Sequence, residues 1–171
     1  MSEIANPTAA GAAARTPRDA VAAVVDPELR VVTIEDLGIL REVREDPGTG
    51  RVTVTITPTY TGCPAMDVIR ADIRAALAAV GRTDVEIVTA ISPPWTTDWI
   101  TEAGRAKLAE AGISPPGPAR RTGPVPLTLT VRCPHCGSAE TEEVSRFGST
   151  ACKALWRCRS CQEPFEHVKA L

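Results

Sequence analysis

Two C-x-x-C pairs, Cys133-Pro134-His135-Cys136 and Cys158-Arg159-Ser160-Cys161, lie 21 residues apart (137 to 157) near the end of this 171-residue chain. Each pair can close a tight knuckle that offers two sulfurs to one metal ion, and together they supply a complete tetrahedral shell of thiolates. The pattern dictates how the segment folds. A piece of about 45 residues with few large apolar side chains cannot bury enough core alone, whereas a four-thiolate metal site contributes folding free energy directly. Residues 141–147 and 151–156 read as two strands that bring the knuckles together. The expectation is a structural zinc ribbon over 129–171. Redox iron, as a rubredoxin-like centre or an iron-sulfur cluster, uses the same ligands and is the rival. His135 and His167 are expected outside the shell, because four cysteines already fill it.

Ahead of the ribbon, Pro115, Pro116, Gly117, Pro118, Gly123, Pro124 and Pro126 mark 114–128 as a semi-stiff linker. Residues 1–15, rich in alanine without a periodic apolar face, read as a disordered tail. The body is then 16–113. Thr16 and Pro17 start a helix that stops at Asp26-Pro27-Glu28. Alternation over 39–46 and 51–57 around Pro47-Gly48-Thr49-Gly50 gives a β-hairpin, with Val52, Val54 and Ile56 on one face. Met66, Ile69, Ile73, Leu77 and Val80 recur at helical spacing before Gly81, a strand follows over 85–91, and a last helix is expected over 98–111. These elements make an α+β fold, a small mixed sheet with packed helices, followed by the ribbon.

The charge pattern narrows the partners. Net charge is −2, distributed as −5 over residues 1–119 and +3 over 120–171, with no dense basic patch interleaved with aromatics. A nucleic-acid partner is therefore not expected. No apolar run approaches the roughly 20 residues of a membrane span and no secretory leader is visible, which makes the cytoplasm the expected compartment. There is no Gly-rich phosphate loop, and neither histidine sits in a pattern suggesting a triad, so a self-sufficient enzyme is hard to build from these parts.

Two cysteines remain. Cys63 lies in Thr57-Pro58-Thr59-Tyr60-Thr61-Gly62-Cys63-Pro64, where a strand gives way to a helix. Unpaired amides and the helix dipole at that position are expected to lower its pKa and ready the sulfur as nucleophile or soft ligand, with simple packing as the competing reading. Cys152, between the knuckles beside Lys153, is a secondary suspect that burial in the ribbon core would also explain. Trp95 and Trp99 can form an exposed aromatic ledge or pack inside.

Asp26-Pro27-Glu28, Ile34-Glu35-Asp36-Leu37-Gly38-Ile39, the strand Val52 to Thr57 and the Cys63 loop together resemble the small iron-sulfur cluster assembly domain of bacterial SufT-like proteins and eukaryotic cluster-targeting factors. Pro94-Trp95-Thr96-Thr97-Asp98-Trp99-Ile100 and 147–165 narrow the resemblance to an accessory-subunit family of the multicomponent phenylacetyl-CoA epoxidase, a di-iron ring oxygenase. The resemblance implies a maturation factor for the di-iron or iron-sulfur centres of that system. Its partners would be the oxygenase or reductase subunits, with a homodimer left open. In that reading Cys63 matches the family's characteristic cysteine and Asp26 and Glu28 its acidic motif, a transient ligand set for iron or a cluster. From the residues alone, Asp26 and Glu28 also suit the capping of a turn. The alternative is a structural or electron-transfer adaptor whose four-cysteine site holds redox iron.

Overall fold

The computed structural model describes residues 16–60, 62–117 and 131–169; the expected tail and most of the expected linker lie outside them. Helix α1 (Pro17–Ala22) opens on a capping box in which the Thr16 hydroxyl accepts from Asp19 N–H and the Asp19 carboxylate accepts from Thr16 N–H. β1 (Leu40–Glu45) and β2 (Val52–Ile56) form the hairpin expected from their alternation. α2 (Ala65–Ala79) then crosses over to β3 (Val85–Thr89), which pairs parallel to β2 and completes a three-stranded sheet with β2 in the middle. Val52, Val54 and Ile56 are fully buried against Ile69, Ile73 and Leu77 of α2. Period-2 and period-3.6 patterns thus meet face to face, as a sheet-and-helix layer requires.

The expected helix over 98–111 is divided. A 3-10 turn (Thr97–Trp99) precedes α3 (Glu102–Glu110), because the Thr101 hydroxyl accepts from Gly104 N–H at 3.0 Å and so starts the helix afresh. Trp95 is buried and donates from Nε1 to Leu37 O at 2.8 Å, while Trp99 is half-covered with the Arg41 guanidinium 3.7 Å over its ring. The tryptophans therefore form no exposed ledge.

A second sheet contains β4 (Ile113–Ser114), β5 (Thr141–Ser145), β6 (Lys153–Cys158) and β7 (Pro164–Val168) in the order β4-β7-β6-β5. β5, β6 and β7 belong to the ribbon, and β7 is a strand beyond the two expected. Ile113 and Ser114 come from the body and pair parallel to Glu166 and His167, so Ser114 is strand where linker was expected to begin. The ribbon is docked. Its own small core holds Val131, Cys133, Cys158 and Phe165, whereas Val168 packs into the core of the body. Among the described residues no helix is long and apolar enough to cross a membrane.

Candidate metal centres

The four ribbon sulfurs converge. All lie within 4.8 Å of one another, with Cys133 Sγ and Cys161 Sγ 3.7 Å apart and Cys136 Sγ and Cys158 Sγ 3.6 Å apart. Thiolates bonded at about 2.3 Å to one tetrahedral ion stand about 3.8 Å from one another, so the donor set fits a single ion. A cubane cluster, in which each thiolate takes a different iron, would spread the sulfurs wider, which leaves zinc and mononuclear iron as the fitting occupants. When bound, the ion cross-links the two knuckles and holds the ribbon together. Gly137 (φ 73) closes the first knuckle and donates its N–H to Cys133 O at 2.9 Å. The second has no glycine, and Gln162 takes the left-handed conformation instead (φ 67), donating to Cys158 O at 3.0 Å. His135 sits against Gly112, and His167 pairs Nδ1 with Ser114 O at 3.2 Å; neither joins the shell.

Cys63 occupies the strand-to-helix turn as expected, but its electrostatics run opposite to the expectation. Gly62 enters the turn at φ 83, a conformation that suits glycine, and Pro64 holds the cap of α2 without a side-chain cap bond. Burial pushes the Cys63 thiol above its ordinary value, and the charges of Glu28 and Asp26 push further. The Ala65 amide and the Tyr60 hydroxyl favour the thiolate without overcoming them. A lone helix terminus lowers a thiol pKa; burial of the sulfur, reinforced by two nearby carboxylates, reverses the sign.

Asp26, Glu28, Cys63 and Cys152 line one cavity of about 20 Å³, floored by apolar side chains including Leu37 and Trp95. Asp26 is buried and its Oδ1 accepts from Glu28 N–H at 2.9 Å and Leu29 N–H at 2.6 Å, the turn-capping role its sequence position also allowed. Burial raises its pKa against those two amides. Cys152 is half-buried at the mouth of β6, with its Sγ 3.1 Å from Thr150 Oγ1, and donates to Glu28 Oε2 at 3.5 Å. Burial lifts its thiol to about 11. The Lys153 charge favours the Cys152 thiolate but is outweighed by burial, and Lys153 Nζ is itself paired with Glu166 at 2.7 Å. Tyr60, which sequence reasoning did not single out, meets Cys63 with its hydroxyl, and burial and that contact raise it to about 12. Its position three residues before Cys63, where Cys63 N–H donates to Tyr60 O at 3.4 Å, was the available signal. Among the described residues the ribbon cysteines are the one group already gathered around a point, so the Cys63 cavity is an open set of donors rather than a closed shell.

A mixed-sheet α+β domain with a cysteine at the head of its crossover helix, joined to a four-cysteine ribbon, defines the class. Residues 18–90 match the family model of the iron-sulfur cluster assembly protein, and 118–169 match the PaaD zinc beta ribbon domain. An Escherichia coli (strain K12) protein, named for a role as a subunit of 1,2-phenylacetyl-CoA epoxidase, is 48% identical over 148 residues, 86% of this chain and 87% of that protein. This chain belongs to the same PaaD family. An Fe-S protein maturation auxiliary factor of Porphyromonas gingivalis is 39% identical over 87 residues, 50% of this chain and 80% of its own length. A crystallised domain of unknown function, DUF59, from Bacillus anthracis shares 28% identity with a TM-score of 0.50, covering 54% of this chain and 87% of that one.

Proposed function

We propose that this chain is an accessory subunit of a 1,2-phenylacetyl-CoA epoxidase that helps to load the metal centres of the complex, its di-iron site or the iron-sulfur cluster of its reductase. The observation that carries this reading is the Cys63 cavity: a half-buried thiol faced by two carboxylates, inside the span that matches the cluster assembly family. A thiol held protonated is a poor nucleophile at neutral pH, but a metal displaces its proton, and weak retention suits a carrier that must release its cargo. The ribbon is a zinc-stabilised module, and the oxygenase and reductase subunits are the partners. The oxygen chemistry lies with those subunits.

The test is a Cys63→Ser variant co-expressed with the other subunits. Iron or cluster content of the purified complex falls while the complex still assembles; full metal loading with lost assembly would reject the reading. A second reading, an electron-transfer adaptor, draws on the fit of the four sulfurs to iron as well as zinc. A colourless protein with one zinc per chain removes it.

A further inference from the structure

The ribbon delivers a second thiol to the Cys63 cavity. Cys152 comes from the loop that leads into β6, and four contacts fix it there. Glu166 accepts from Ser149 N–H at 2.7 Å and pairs with Lys153, Lys169 N–H donates to Cys152 O at 2.9 Å, and Lys169 Nζ donates to Ala151 O at 2.8 Å. Val168, seated in the body's core, anchors the same end of β7. Glu28 is the common neighbour, within 3.5 Å of the Cys152 sulfur and among the charges acting on Cys63. Two thiols and two carboxylates, those of Glu28 and Asp26, are the sulfur and acidic groups in the wall of a largely apolar space of about 20 Å³. That space has room for about one water-sized body, which suits a single ion.

Resting on the carrier reading of Cys63, we infer that Cys63, Cys152 and Glu28 form an interdomain site for a single divalent ion of the iron and zinc class. The donor set of two sulfurs and an oxygen suits such borderline ions rather than calcium or magnesium. Binding exchanges two S–H bonds for two metal–sulfur bonds, and both protons leave to solvent. No oxidant takes part, which separates the site from a Cys63–Cys152 disulfide. The cargo is then one ion at a time, and the docked ribbon is part of the carrier.

Cobalt(II) added anaerobically to the zinc-loaded full-length chain is the probe, since zinc outcompetes cobalt for the four-thiolate ribbon. One further cobalt binds per chain, with a sulfur-to-cobalt charge-transfer band and release of two protons. Cys152→Ser releases one proton, weakens the band and lowers affinity about tenfold or more, and Cys63→Ser does the same. Glu28→Gln keeps both protons and the band while affinity falls about tenfold. Cys152→Ser matching the wild type would overturn this site yet leave Cys63 as a ligand; if Cys63→Ser also matched it, the carrier reading would fall too. If Cys152→Ser loses ribbon zinc, Glu28→Gln decides, and unchanged affinity there rejects the site. A cluster reconstituted on Cys63 that survives Cys152→Ser also overturns it.

Discussion

The Cys152 thiol donates to Glu28 Oε2 at 3.5 Å, linking residues 124 positions apart across the junction of the two domains. β4 pairing with β7, the His167 contact to Ser114 O and the Val168 side chain in the body's core hold that junction in register. Position of the ribbon, rather than its mere presence, is what places a second sulfur at the cavity.

Loss of the ribbon metal should therefore be felt at Cys63. Cys158 is fully buried, and Cys158→Ser removes one of the four gathered thiols from a module whose buried core, apart from Cys133 and Cys158, is Val131 and Phe165. Zinc per chain is expected to fall from about one to near zero, with the ribbon strands unfolding while α2 retains its helical circular dichroism. With Val168 and Cys152 released, Cys63 should alkylate faster than in the wild type. An unchanged alkylation rate in a zinc-free variant would show that docking does not depend on the ribbon fold.

The buried Lys153–Glu166 pair is sensitive to truncation of either partner. Lys153 is 4% exposed and Glu166 also holds the Ser149 amide, so Glu166→Ala strands a buried ammonium. Removal of one partner of a buried pair costs about 3 kcal/mol or more, whereas replacing both by apolar residues of similar volume is near neutral. Urea unfolding of Glu166→Ala against a Lys153→Met/Glu166→Leu double variant measures the difference.

The sequence is most legible where its signals are local. Spacing alone picked out the four cysteines whose sulfurs the fold gathers within 4.8 Å of one another, and alternation identified the hairpin face of Val52, Val54 and Ile56. β7 escaped because its buried positions, Phe165 and Val168, are three apart: one serves the ribbon core and the other the body's core, which hides the period of two. The Cys63 pKa was misread because a local rule met non-local causes, burial and the charges of Asp26 and Glu28 brought in from another loop. Pairing of Cys152 with Glu28 has no signature at all in chain order.

Gly38 tests how tightly the cavity wall is built. It takes φ 69, and a Cβ there would lie 2.6 Å from both Cβ and O of Trp99. Gly38→Ala is expected to cost about 2 kcal/mol or more, since left-handed strain adds to a clash with backbone that cannot swing away. Gly50→Ala, at φ 72 with nothing within 4 Å, supplies the strain alone and should cost about 1 kcal/mol. Equal melting temperatures for the two variants would mean the wall yields.

Asp26 separates stability from function. Burial raises its pKa above the ordinary 3.8, despite the Leu29 and Glu28 amides on Oδ1. A carboxyl whose folded pKa exceeds its unfolded one contributes stability below the unfolded value and loses it as pH rises through the folded value, so above that folded value the buried charge is a liability. Asp26→Asn keeps an Oδ1 acceptor for both amides and removes the charge. The variant should gain stability over the wild type as pH rises through the folded pKa of Asp26, with the gain levelling off above it. Because the Asp26 charge also holds the Cys63 thiol up, the pH midpoint for Cys63 alkylation should fall in the same variant. Urea unfolding across pH and iodoacetamide kinetics measure the two effects independently. A stability gain that does not vary with pH would mean that charge burial is not its cause, and an unmoved alkylation midpoint would place the Asp26 carboxylate outside the electrostatic reach of Cys63.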